Sequence, residues 1–217
     1  MVAHRLSLLA ALLTLAAGCA SIGARRHFLP PPAGDSRVGT VTSRADPAIA
    51  QGSAVEPPPR DALRAVEAAA ALVGSRRVVV GEVDYGPDCA ALVRAAFDRA
   101  GHPLPASVRD AAGLHALAAA RGVLRPPARA APGDVIFLAD RPGGPPIHAG
   151  LVARIEGDGT AVALYRVARG VMRVRLNVSQ RSRLTDPASG RRLNDALVIG
   201  GSTVPAGDLV VDVAGLL

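Results

Sequence analysis

The hydrophobic periodicity of this 217-residue chain changes once, at Pro132, and that change restricts its architecture more than any other feature. Ahead of it, "DALRAVEAAAALVG" carries Leu63, Val66, Ala70 and Val73 at helical spacing, with Asp61 as N-cap and Gly74 as the stop. "CAALVRAAFDRAG" sets Cys89, Leu92, Val93, Ala96 and Ala100 on one helical face and closes at Gly101. "SVRDAAGLHALAAARG" opens with Ser107 and Asp110 in a variant of the capping-box spacing and ends at Gly122. Beyond Pro132 the runs shorten. Residues 134–139 and 148–155 are apolar, 160–167 and 171–178 alternate in part, and "EGDG" and "ARG" are turn-like joints between them. Helices followed by an antiparallel meander predict an α+β domain over residues 61–217. The stretch from Leu193 to Leu217 reads either as a further strand or as an apolar extension.

The N-terminal end has a different character. "MVAHRLSLLAALLTLAAGCAS" places His4 and Arg5 before about a dozen apolar residues and then small ones, the layout of an export signal. The apolar run is too short to remain as a membrane-spanning helix. Its end, "LAAGC", resembles a bacterial lipoprotein signal, which implies residues 1–18 as the signal and lipid on Cys19. Ala16 stands where such signals most often have Leu. A plain secretory signal with an incidental cysteine is the other reading. Ala20, where Asp is absent, resembles lipoproteins sorted to the outer membrane and facing the periplasm. Residues 19–60, rich in Pro, Gly, Ser and Ala and without periodicity, read as a disordered tether.

Charge is less informative than it first looks. The net charge is +7, yet the chain has no Lys, and all 25 basic residues are Arg. A basic protein is drawn to polyanions. Here the arginines are scattered singly or in pairs, aromatics make up 2% of residues, and no dense basic run interleaves with them, so nucleic acid is not an expected partner.

Cysteine arithmetic points to chemistry. Of two cysteines, lipid on Cys19 leaves Cys89 without an intrachain partner in a compartment that oxidises thiols. A leftover cysteine there is a reactive thiol, an intermolecular bridge, or a small buried hydrophobe. Cys89 follows a Gly86-Pro87 break at a helix start, where the helix dipole favours thiolate. Among the histidines, His4 goes with the signal and His27 with the tether. His102 reads as a solvated turn residue and His115 as a structural or surface residue in mid-helix. His148 opens a strand after the loop "RPGGPP" among small residues. With the following turn centred near Gly157 and Asp158, Tyr165 becomes its near-diagonal neighbour, able to orient an imidazole or simply to pack.

Taken in order, these segments resemble a family. "DCAALVRAAFDRAG" resembles the "DCSG" helix of NlpC-type cell-wall cysteine peptidases and their CHAP relatives; "APGDVIFLAD" resembles their "PGDLVFF" strand; and "IHAGLVARIEGDGT" resembles their histidine strand. The resemblance covers about residues 61–180. It implies a papain-like fold, Cys89 as nucleophile, His148 as general base and acid, and the Cys89 amide with Tyr85 as oxyanion donors. It also implies hydrolysis of an amide bond in peptidoglycan through a thioacyl-enzyme, with no metal or other cofactor. Two positions depart from the family pattern. Ala90-Ala91 replaces Ser-Gly, and Tyr165 occupies the third position, where His, Asn or Gln is usual. A wall-binding module of weak or no activity on the same fold is the alternative, followed by thiol chemistry on another acyl substrate.

Overall fold

Residues 57–217 are described by the structure, a computed structural model. The expected signal, Cys19 and the tether up to residue 56 lie outside the described residues.

Helix α1 spans Arg60–Ala70, with Pro59 at the N-cap. Asp61 is therefore a first-turn acid, not the cap, and its carboxylate meets Arg64 at 3.6 Å and His102 at 2.8 Å. The buried face is Ala62, Ala65 and Ala69, while Leu63, expected inside, is 49% exposed. The reason is close approach. A Cβ on Gly133 would fall 2.4 Å from the Ala62 Cβ, so only small side chains let α1 sit this near the loop before the sheet.

A short hairpin, β1 (Val79–Val80) with β2 (Val83–Asp84), precedes α2 (Ala91–Ala100). Seven of the ten α2 residues are buried, including Leu92, Val93 and Phe97. A helix apolar nearly all round is a central helix, and α2 packs on α1 and on the sheet. Helix α3 (Ala111–Ala120) starts later than its sequence suggests: Asp110, not Ser107, is the N-cap, and its side chain accepts from the Gly113 amide at 2.8 Å.

The strands follow: β3 (Leu124–Arg125), β4 (Val135–Leu138), β5 (His148–Ile155), β6 (Ala161–Val167), β7 (Gly170–Leu176), a hairpin of β8 (Ala196–Ile199) and β9 (Ser202–Pro205), and β10 (Val210–Ala214). The main sheet is antiparallel, in the order β3-β10-β4-β5-β6-β7. The C-terminal stretch thus supplies an interior strand. It pairs with β3 on one side and β4 on the other.

Both faces of this sheet are covered, which explains why β4 is buried at every position and β6 alternates only in part. One core joins Val135, Phe137, Ala149, Leu151 and Leu164 to the three helices. On the opposite face Ile136, Leu138, Val152, Ala163 and Tyr165 meet Leu197, Ala206 and Leu209 of the segment after β7. That segment is seated by buried amides: Asn194 accepts from the Asn177 N–H at 2.7 Å and donates to the carbonyls of Gln180 and Arg183. The fold is therefore α+β, with helices on one side of a mainly antiparallel sheet.

Candidate active site

Cys89 lies one residue ahead of the α2 N-cap, Ala90, in the turn that enters the helix. Gly86, at φ +87°, makes the bend that precedes it, and its amide donates to Asp84 at 2.9 Å. The thiol is half-buried and packs on the helix-side core. Ala90 and Ala91 beside it are fully buried, in a dry contact where a hydroxyl would need a partner.

The sulfur is held against the start of β5. Its S–H donates to the Ile147 carbonyl at 3.5 Å. The amides of Ala111, first residue of α3, and Ala149, in β5, are both directed at it. Ile147 and Ala149 flank His148, so the thiol rests on the backbone that carries the histidine. His148 itself is half-buried, opens β5, and pairs with Leu138 across the β4–β5 ladder.

The electrostatics correct a simple helix-dipole argument. Burial pushes the Cys89 thiol above its ordinary value. The Ala111 amide opposes this, the Asp88 carboxylate adds to it, the Ala149 amide opposes it and Asp110 adds to it. Burial is the largest influence, and it favours the thiol over the thiolate. Asp88 is also pushed up, first by desolvation, although Arg94 lies 3.7 Å away.

The two tyrosines are engaged elsewhere. The Tyr85 hydroxyl donates to Asp98, near the far end of α2, and the Arg94 guanidinium lies over its ring at 5.9 Å. A hydroxyl so committed is not the free oxyanion donor that the resemblance implies. Desolvation, and then the Asp98 bond, push its phenol up to about 12. Tyr165 is the ladder partner of Gly150, and its ring covers that glycine. Its hydroxyl donates to the Ile136 carbonyl at 3.5 Å, and burial pushes its phenol far up. In this arrangement Tyr165 is a core residue of the face opposite the helices, with its polar tip spent on β4.

Two further residues, Asp110 and His115, were given no part in the site by the sequence. Asp110 fixes the start of α3, whose first amide faces the sulfur; its Ser107-x-x-Asp110 spacing was visible, but the cap was placed one turn early. His115 bonds Asp212 at 3.0 Å and meets Phe137 edge-on, with ring centroids 5.0 Å apart at 85°. Nothing in the local sequence around either residue signals that pair. Among the described residues no cluster of three His, Cys, Asp or Glu side chains is placed to hold a metal ion. No family model matches the chain, and neither a curated protein nor a solved structure does.

Proposed function

We propose that this chain is a cysteine hydrolase of the cell envelope, built on a papain-like α+β fold, that cleaves an amide bond in peptidoglycan. The observation that carries this reading is the seat of Cys89: its sulfur lies between the Ile147 carbonyl and the Ala149 amide, the two backbone groups that flank His148. A thiol at a helix entrance, resting on the backbone to either side of a histidine at a strand start, supplies the residue types that acyl transfer needs.

Since burial favours the thiol, the reaction begins with His148 taking the S–H proton as the sulfur attacks the carbonyl carbon of the substrate. Negative charge moves to the carbonyl oxygen. The Cys89 amide, in the turn that enters α2, would serve that oxygen as a donor. Collapse of the tetrahedral species breaks the C–N bond, and imidazolium returns the proton to the leaving amine. Water, deprotonated by His148, then releases the thioester. In the cell, lipid on Cys19 would tether the domain at the outer membrane, facing the periplasmic wall.

A wall-binding module without turnover is the second reading. It is favoured by the engaged hydroxyls of Tyr85 and Tyr165, which leave the oxyanion and third positions of the resemblance without their expected groups. Incubating the purified chain and its Cys89→Ala form with diaminopimelate-type peptidoglycan separates the two. Fragments from the wild type alone, identified by mass, support hydrolysis and name the bond. Equal cleavage by Cys89→Ala, or none by a folded wild type with its thiol intact, would overturn it.

A further inference from the structure

The β10 strand contains one irregularity, and it lies opposite Phe137. Val210 pairs with Leu138 and Val213 with Ile136, so β10 uses three residue steps where β4 uses two. A bulge of this kind turns two consecutive side chains toward one face. Val211 accordingly packs with the helix-side core, while Val210 and Val213 belong to the other. Asp212, freed from strict alternation, reaches His115 on α3 at 3.0 Å.

That contact bears on the thiol through two short routes. His115 is four residues after Ala111, one turn along the same side of α3, and the Ala111 amide faces the Cys89 sulfur. The His115 ring also stands edge-on to Phe137, whose ladder partner is Ala149, the other amide directed at the sulfur. Helix α3 also buries Ala111, Leu114 and Ala118 in the helix-side core. A helix of ten residues is held mainly by its packing, so a side-chain bond to a strand fixes where its first turn lies.

We propose that His115 and Asp212 form a positioning clamp that holds the first turn of α3 against Cys89, so that two side chains remote from the sulfur set its reactivity. The clamp rests on the reading of Cys89 as the nucleophile, but it is a property of the thiol and needs no substrate. Neither residue touches the reacting atoms; both act through the Ala111 amide. The other charged or titratable groups that bear on the sulfur are Asp88 from the α2 entrance, with Arg94 beside it, and Asp110 from the α3 entrance; His148 is on the adjoining backbone of β5. Asp88 and Arg94 belong to other elements than α3, whereas Asp110 caps α3 and moves with its first turn; the Ala111 amide has the larger influence of the two on the thiol.

The test is the pH profile of Cys89 alkylation by iodoacetamide in the full chain, followed at that residue by mass spectrometry. Asp212→Ala and His115→Ala should each slow alkylation at neutral pH about fivefold and move the profile to higher pH, because a donor to the thiolate is lost. The double variant should be no slower than either single one, since both cut the same link. Asp212→Asn, which keeps an oxygen acceptor for the imidazole N–H, should retain the wild-type profile. His102→Ala removes a similar pair, with Asp61, that has no part in α3, and should also leave the profile unchanged. Where alanine loosens the fold, His115→Leu keeps the contact with Phe137 while lacking the bond. Folded clamp variants whose profiles superimpose on the wild type would overturn the proposal, as would an equal shift in His102→Ala. Peptidoglycan cleavage assayed in parallel keeps the two readings apart. A shifted profile in a chain that never cleaves wall retains the clamp and removes the hydrolase, and the reverse result does the opposite.

Discussion

Tyr165 lies across Gly150. The two are partners in the β5–β6 ladder, and a Cβ on Gly150 would stand 2.6 Å from the ring Cε1 and 2.7 Å from the Leu164 carbonyl oxygen. The ring bridges three strands, because its hydroxyl reaches Ile136 on β4. Gly150→Ala should therefore cost about 1–3 kcal/mol through overpacking, and Tyr165→Ala about 3–5 kcal/mol through the cavity it leaves. Tyr165→Phe gives up one long hydrogen bond and should cost under about 1 kcal/mol. Urea unfolding of the three variants checks the order. On the proposed hydrolase reading, Tyr165→Phe should also keep the wild-type rate of wall cleavage; a large loss of rate with unchanged stability would restore the hydroxyl to the chemistry.

The chain has two tyrosines and no tryptophan, and both phenols are pushed up, chiefly by desolvation. Absorbance at 295 nm should consequently show no titration near pH 10 while the protein is folded. The sign of the stability effect follows. A phenol raised in the folded state keeps its proton longer there than in the unfolded chain, so the stabilisation is complete below the unfolded value of 10.0 and is lost as pH rises toward about 12. Thermal unfolding followed by circular dichroism from pH 9 to 12 should show Tm falling across that window. A smooth phenolate titration at pH 10 with native dichroism would contradict the burial of both rings.

Cys89 offers a third check. Its thiol is raised by burial, so alkylation should follow a midpoint above the 9.0 of an ordinary cysteine. Replacing Asp88 by Asn removes a carboxylate that raises it, and should shift that midpoint down. A midpoint near neutral pH in the wild type would instead mean a resting thiolate–imidazolium pair, and the first proton transfer described for the reaction would drop out.

Asp110→Ala should destabilise the protein by about 1 kcal/mol by leaving the Gly113 amide without its cap. Asn at the same position retains the acceptor and should restore most of that loss. Chemical unfolding curves of the two variants measure the difference, and equal curves would mean that α3 starts elsewhere.

Much of the architecture was legible in the residues, because it rests on local signals. The β5 bounds follow from an apolar run between Pro-rich and Gly-rich turns, and β6 and β7 fall within two residues of their expected ends. Gly101, at φ +90°, ends α2 as its position announces. The order of Cys89 before His148 was equally plain, since it needs only a helix start and a strand start.

What escaped was decided between distant segments. The buried face of α1 is rotated toward Ala62, Ala65 and Ala69 because Gly133, far along the chain, lets the helix in close. Local spacing favoured the larger Leu63 and Val66. Tyr85 was set near the thiol by its number, whereas its hydroxyl is drawn thirteen residues on to Asp98. The pairing of His115 with Asp212 spans 97 positions and depends on a bulge, which has no signature in either neighbourhood.

The interior place of β10 also fixes an order of events. Residues 210–214 must slot between β3, made from residues 124–125, and β4, made from residues 135–138. During synthesis the N-terminal partners emerge first and cannot complete the sheet. Closing such a long loop is slow compared with forming helices or hairpins. The Ala111 amide and Asp212 come together only after that insertion, so the thiol acquires its finished surroundings last. A chain still open before residue 214 is free therefore carries a Cys89 whose surroundings are unfinished, whatever its helices have already formed.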